Sequence, residues 1–143
     1  MKIFNMCRKP AISVPPSASV KSALELMTEH KVGAVVVVVD DEAIGIFTRR
    51  DAIERVVLKG TSLDAAVESV MSAPVDVLSK DTDLTDALKV MAKRPYNHIP
   101  IVDANEKVVG LATSKSVMKL VIERLSNELD SLEAFVSADG IGG

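Results

Sequence analysis

The sequence predicts an α/β (α+β) fold built from two β-α-β-β-α repeats packed about a pseudo-twofold axis, with an extended C-terminal helix. Three observations carry that prediction. The chain is duplicated: Pro10, Ala23, Leu24 and Met27 return 64 residues later as Pro74, Ala87, Leu88 and Met91, and Gly45 and Thr48 return 65 residues later as Gly110 and Thr113. Each copy then passes from helical hydrophobic spacing to short apolar runs in the same order. Beyond the second copy the helical spacing continues, with no glycine or proline across residues 114–137.

In chain order, each copy opens on a short extended stretch, residues 11–14 and 75–78. A helix follows, with Ser19 and Asp83 placed to accept hydrogen bonds from the free N–H groups of its first turn. Val20, Ala23, Leu24 and Met27, matched by Leu84, Ala87, Leu88 and Met91, define its buried face, and the two helices are expected to end near His30 and Arg94. The run at 34–39 is almost pure valine. Its β-branched side chains favour a strand, and its lack of alternation says that both faces are covered; residues 99–102 take that part in the second copy. Turns at 40–42 and 103–106 lead to strands at 44–48 and 108–113, then to another helix, which Gly60 stops in the first copy. One such unit is too small to cover both faces of its own sheet, so the copies are expected to pack on each other. The expected divisions are repeat one at 1–62, repeat two at 63–125, and a helical extension with a flexible tail at 126–143, fraying over 138–143.

Composition narrows the function. At 143 residues, 48% hydrophobic and 26% charged, the chain can bury a core but leaves no room for a large multidomain enzyme. A net charge of −3 gives no general basic field, so nucleic acid is not expected as the principal partner. The longest apolar run, 32–39, is far below the roughly 20 residues of a membrane helix, and the N-terminus lacks an apolar leader, so no membrane and a cytoplasmic location are expected. The single cysteine, Cys7, excludes an internal disulfide and a multi-cysteine zinc site and fits a reducing compartment; although Arg8 and Lys9 stand beside it, it reads as a spectator thiol. The acidic residues at 40–42, 81 and 83 sit at turns and helix starts, where carboxylates are expected without a metal. There is no Ser/His/Asp order, acid–base carboxylate pair or glycine-rich phosphate loop, so the chain does not read as an enzyme. With no tryptophan, one tyrosine and three phenylalanines, aliphatic side chains would have to sandwich any bound base.

The strand-to-helix junctions read Gly45-Ile46-Phe47-Thr48-Arg49-Arg50-Asp51 and Gly110-Leu111-Ala112-Thr113-Ser114-Lys115-Ser116, and Ile99-Pro100-Ile101-Val102-Asp103 precedes the second. With the duplication and the element order, the chain resembles the CBS-domain pair, or Bateman module, over about 120 residues. That family's signature is Gly-x-x-Thr/Ser-x-x-Asp after an Ile/Leu-Pro-Val-Val-Asp strand, and the first copy matches the junction fully. The resemblance implies a stand-alone regulatory module with no required cofactor. It would bind an adenosine-containing ligand (AMP, ADP or ATP first) between the repeats, as an energy sensor, and signal to an unidentified protein partner. Local chemistry agrees: the Thr48 hydroxyl, the N–H groups opening the next helix and Arg50 suit an anion. Thr48 and Asp51 would also serve simply as helix caps.

In such modules each cleft joins the junction of one repeat to the lead-in and first long strand of the other. The resemblance therefore assigns the first cleft Thr48, Arg50 and Asp51, together with Val75, Asp76, Asn97, His98, Ile99 and Pro100. Asp51 would hold the ribose diol, Val75 and Ile99 would sandwich adenine, and the backbone near Asp76 would read its edge. His98 would face phosphate with Arg49 and Arg50 nearby, in a place where its titration near neutrality makes binding pH-dependent; a half-buried histidine bonded to a carbonyl is the competing reading. The second cleft would take Thr113, Lys115 and Ser116 with Ala11, Ile12, Ala34 and Val35, the register leaving either Ala34 or Val35 at the His98 position. Serine replaces the carboxylate there, so one good site and one weak or empty one are expected.

Along the C-terminal helix, Met118, Ile122, Leu125, Leu129, Leu132 and Val136 alternate steps of four and three, a heptad seam on a segment of about 36 Å. A homodimer is expected, with this helix helping; the alternative is that the segment docks on its own chain. For the whole protein, the readings weighed against a nucleotide sensor are an oligomerisation or scaffold module with vestigial clefts, and a sensor of S-adenosylmethionine or NAD(H).

Overall fold

The computed structural model describes residues 1–93 and 97–138, so the expected helix end at Arg94 and the tail beyond Ala138 lie outside the described residues. The β-α-β-β-α order occurs twice. In the first half, β1 (Ser13–Val14) runs parallel to β2 (Ala34–Val39), which pairs antiparallel with β3 (Glu42–Thr48). In the second, β4 (Leu78–Ser79), β5 (His98–Val102) and β6 (Val108–Thr113) repeat that three-stranded sheet. Helix α1 is Val20–His30 and α3 is Leu84–Lys93. Helix α2 opens at Arg49–Asp51 and widens into a π-helix over Ala52–Val57, and α4 runs the length of Ser114–Ala138.

The local causes are those the sequence offers. Ser19 Oγ accepts the Ser22 N–H at 3.0 Å and opens α1. Asp83 Oδ2 accepts the Thr85 N–H at 3.3 Å and its hydroxyl at 2.6 Å, and these bonds hold the Asp83 carboxyl below the usual carboxylate range. The β2–β3 hairpin turns through Asp40 and Asp41 at φ +51° and +64°, a conformation that Asp tolerates better than most residues. The lead-in strands are shorter than expected, two residues each: they reach Val14 and Ser79, but their first residues find no ladder partner on β2 or β5.

The valine run is covered from two sides. Val35 and Val37 lie under α1 with Val20, Ala23, Met27 and Phe47. On the opposite face, Ala34 and Val36 meet Ile46 and Leu111, with Val75 and Val108 packed against them, so the two sheets share a core between them. Ile99 and Ile101 fill a third cluster with Leu84, Ala87 and Met91.

The lead-in segments cross over. Ile3 N–H donates to Thr82 O at 2.8 Å, Arg8 and Leu111 exchange backbone hydrogen bonds at 2.9 and 3.0 Å, and the Ile3 side chain is fully buried in the second half's core. Residues near 65–72 return to the first half: Val67 N–H donates to Ala18 O at 2.7 Å, Ile46 and Ser72 exchange bonds at 3.0 and 2.8 Å, and Val67 is buried beside α1. The recurrent junction glycines permit this crossing. A Cβ on Gly45 would lie 2.5 Å from Met71 Sδ, and one on Gly110 would lie 2.5 Å from Cys7 Sγ and 2.9 Å from Arg8 O. Cys7 is itself buried, with its thiol directed at Phe4 O, 3.5 Å away, and burial pushes its pKa up against the smaller pull of Lys9.

The first turns of α4 stay on the body, with Val117 buried and Leu120 and Val121 packed against the second half's core, while Met118, Ile122, Leu125, Leu129 and Leu132 are each more than half exposed. The stripe is therefore not docked on its own chain. Among the described residues no helix is long and apolar enough to cross a membrane, and no group of His, Cys, Asp and Glu is arranged to hold a metal ion.

Candidate functional site

The site is built where β3 turns into α2. Thr48 is extended, at φ −114°, and its Oγ1 accepts the Asp51 N–H at 3.2 Å while Asp51 Oδ2 accepts the Thr48 N–H at 3.0 Å, a reciprocal capping box. The cap leaves Asp51 only 4% exposed, the one buried charged side chain among the described residues. Its carboxylate is well supplied with donors. Oδ2 also receives the Thr48 hydroxyl at 3.2 Å, Oδ1 receives the Ser72 hydroxyl at 2.8 Å, and Arg55 Nε lies 3.6 Å from Oδ1. Arg55 in turn donates to Met71 O at 2.8 Å, so the returning segment and α2 are tied together through this carboxylate.

In front of Asp51 lies a cavity of about 380 Å³, within the usual range for a small-molecule site. Thr48, Arg49, Arg50 and Asp51 face it from the first repeat, and Val75, Asp76, Asn97 and His98 from the second. Gly33, Ile46, Ser72 and Pro74 complete the wall. Seven of the nine residues expected in the first cleft are therefore brought together. Ile99 and Pro100 are not among the lining residues. Alternate residues of a strand face opposite ways, and Ile99 falls on the side of β5 turned to α3, buried with Leu84 and Met91. It borders a separate recess of about 310 Å³ with Val77, Val90 and Lys93, which shares Asp76 with the main cavity. The expected sandwich of Val75 and Ile99 thus does not form across the main cavity. Pro100 is fully buried.

The cationic end is graded. Arg50 lines the cavity at its solvent-exposed mouth, with Nε 3.8 Å from Glu54 Oε1 and most of its side chain exposed, whereas Arg49 sits deeper, beside His98. Burial, and next the Arg49 cation, lower the His98 pKa below its ordinary 6.5, so the ring is neutral at pH 7. A Cβ on Gly33 would lie 3.1 Å from His98 Nε2, which makes the small residue at 33 a condition for the ring's position. Among the residues absent from the sequence-based set, Ile46 had a visible signal, because it lies two residues before Thr48 on the same strand face. Ser72 had none; its contact with Asp51 spans 21 residues and depends on the returning segment.

The residues of the expected second cleft lie in different surroundings. The register settles the ambiguity: Ala34 pairs with Thr48 as His98 pairs with Thr113, so Ala34 is the counterpart of His98. Ala34 and Val35 are fully buried, Ala11 and Ile12 pack at the edges of two hydrophobic clusters, and Lys115 is exposed. Thr113 Oγ1 accepts the Ser116 N–H at 3.1 Å and donates to Ser116 Oγ at 2.8 Å, so the two hydroxyls satisfy each other where the first junction holds a buried carboxylate.

Two α/β repeats with a polar cavity between them define a tandem-repeat module. A family model, the CBS domain, matches residues 3–58 and again 67–123. The chain belongs to the CBS-domain family, as a CBS pair. It is 31% identical over 122 residues to the uncharacterized protein MK0525 of Methanopyrus kandleri, covering 84% of this chain and 62% of that one. Among solved structures it is similar to a putative signal-transduction protein with CBS domains from Burkholderia ambifaria (TM-score 0.77, 28% identity, 86% and 95% of the two chains covered). It also shares the fold of CBSX2 of Arabidopsis thaliana, solved in complex with AMP (TM-score 0.72, 24% identity, 85% and 96% covered).

Proposed function

We propose that this CBS pair is a regulatory binding module, without catalytic activity of its own, that takes an adenosine-containing ligand, AMP, ADP or ATP first, in the cavity in front of Asp51. The observation that carries the reading is a buried carboxylate bordering a cavity walled by both repeats, with Arg49 and His98 on the same wall. Two of the three hydrogen bonds on Asp51 come from hydroxyls, those of Thr48 and Ser72, which rotate. The hydroxyls of a ribose diol can replace them like for like. A ligand spanning both repeats alters their relative geometry only if it binds two arrangements unequally, and that difference is what an interacting protein would read. A homodimer working in the cytoplasm, where a lone buried thiol stays reduced, completes the reading.

Titration calorimetry should give about one AMP, ADP or ATP per chain. Asp51→Asn keeps the cap's shape and should weaken binding by roughly 1.5–3 kcal/mol, a factor of ten or more. Two equal sites, or an indifferent variant, would refute the assignment. A thermal-shift panel that includes S-adenosylmethionine and NAD(H) separates the alternative ligands, since a tight ligand raises Tm by linkage. Silence across the panel would favour a scaffold whose function lies in α4.

A further inference from the structure

Met118, Ile122, Leu125, Leu129, Leu132 and Val136 form an uncovered seam along α4, all but Val136 more than half exposed. Another flank of the helix, including Leu120, Arg124 and Asn127, faces Met1 and Leu84 across a recess of about 580 Å³, so the seam is turned away from the body. Its first two positions have exposed counterparts 65 residues earlier, Ile53 and Val57; the other four have none, because α2 ends before Gly60. An exposed apolar stripe of this length marks an interaction surface.

The flanking residues select the occupant. With Ile122, Leu129 and Val136 at a and Met118, Leu125 and Leu132 at d, the e flank carries Lys119, Ser126 and Glu133, and the g flank Val121, Glu128 and Phe135. Two copies paired in parallel would set each Glu128 against the partner's Glu133, giving two like-charge contacts. Paired antiparallel about residue 127, every seam position meets another: Met118 the partner's Val136, Ile122 the partner's Leu132, Leu125 the partner's Leu129. The same register sets Lys119 against the partner's Glu133 twice and the part of Val121 that its own core leaves exposed against the partner's Phe135 twice, with one Glu128 pair at the centre, each Glu128 ion-paired at 3.6 Å with Arg124 of its own helix. We propose that α4 pairs antiparallel with α4 of a second copy in this register. The proposal deepens the homodimer reading above and rests on it, and does not depend on the ligand.

Sedimentation equilibrium of the full chain tests it with Lys119→Glu and Glu133→Lys, alone and mixed. The wild-type chain should dimerise. Each variant alone turns both opposite-charge contacts into repulsions and should dimerise about tenfold more weakly, while an equimolar mixture, in which every such contact is again opposite in sign, should recover wild-type affinity. A monomeric wild type overturns both the homodimer and the pairing. A dimer that Glu133→Lys tightens overturns the antiparallel register alone, because in a parallel pair that change relieves the Glu128 repulsion. A dimer indifferent to both variants overturns α4 as the interface.

Discussion

Asp51 has two tasks in one carboxylate: it caps α2, and it receives Ser72 from the returning segment. Its identity was legible in the junction motif, and so was its cap, but its depth was not, because Ser72 and Arg55 reach it through packing that no local pattern encodes. His98 carries a pH signature whose sign follows from its surroundings. Its folded pKa is lowered by burial and by Arg49, so below the ordinary 6.5 the unfolded chain binds a proton that the folded chain resists. The stability tied to this ring is full above 6.5, is lost as pH falls through that value, and levels off below the lowered pKa. Thermal melts between about pH 7.5 and 5 should fall less steeply for His98→Gln than for the wild type; parallel curves would assign the dependence to other groups. Nucleotide affinity should run the opposite way, rising on acidification, because a phosphate favours the imidazolium. Gly33→Ala places a methyl 3.1 Å from His98 Nε2 and should weaken binding with little loss of Tm, checked by calorimetry beside a melting curve.

At the scale of elements, the strands and helices were legible because each satisfies a local rule: β-branched density for β2, a cap for α1, an unbroken apolar period for α4. The lead-in strands were over-read, since an extended stretch becomes a strand only where a neighbour pairs with it, and β1 finds partners only at Val36 and Val37. The junction glycines make a graded prediction. Gly110→Ala meets the Arg8 carbonyl, which is held by its backbone hydrogen bonds with Leu111, whereas Gly45→Ala meets the flexible end of Met71. Gly110→Ala should cost about 1–3 kcal/mol in chemical denaturation and Gly45→Ala less; the reverse order would mean that the second half yields more easily than its contacts suggest. Truncation after Leu125 removes three of the six seam positions of α4 and should shift sedimentation toward the monomer, while the folded body melts as before.

Across the whole molecule, the duplication announced two similar halves, and the covered valine run announced that they pack face to face. The crossing of the lead-in segments was hidden, because pairs such as Ile3 with Thr82 and Val67 with Ala18 are set by tertiary geometry and leave no period in the sequence. It has a measurable effect. Ile3→Ala should cost about 2–5 kcal/mol, and hydrogen exchange should quicken in α3 and β6, far along the chain, more than in α1; Val67→Ala should do the converse. Uniform loosening in both variants would show that the halves unfold as one. The crossing also means that the halves are interlocked without being covalently closed. If the exposed loop around Lys59 were cut, each fragment would carry the piece that completes the other's core: residues 1–9 on one, 65–72 on the other. The two polypeptides would hold each other by exchange and should reassemble when produced separately and mixed, which would make this chain a natural split protein with the cavity in front of Asp51 at the join.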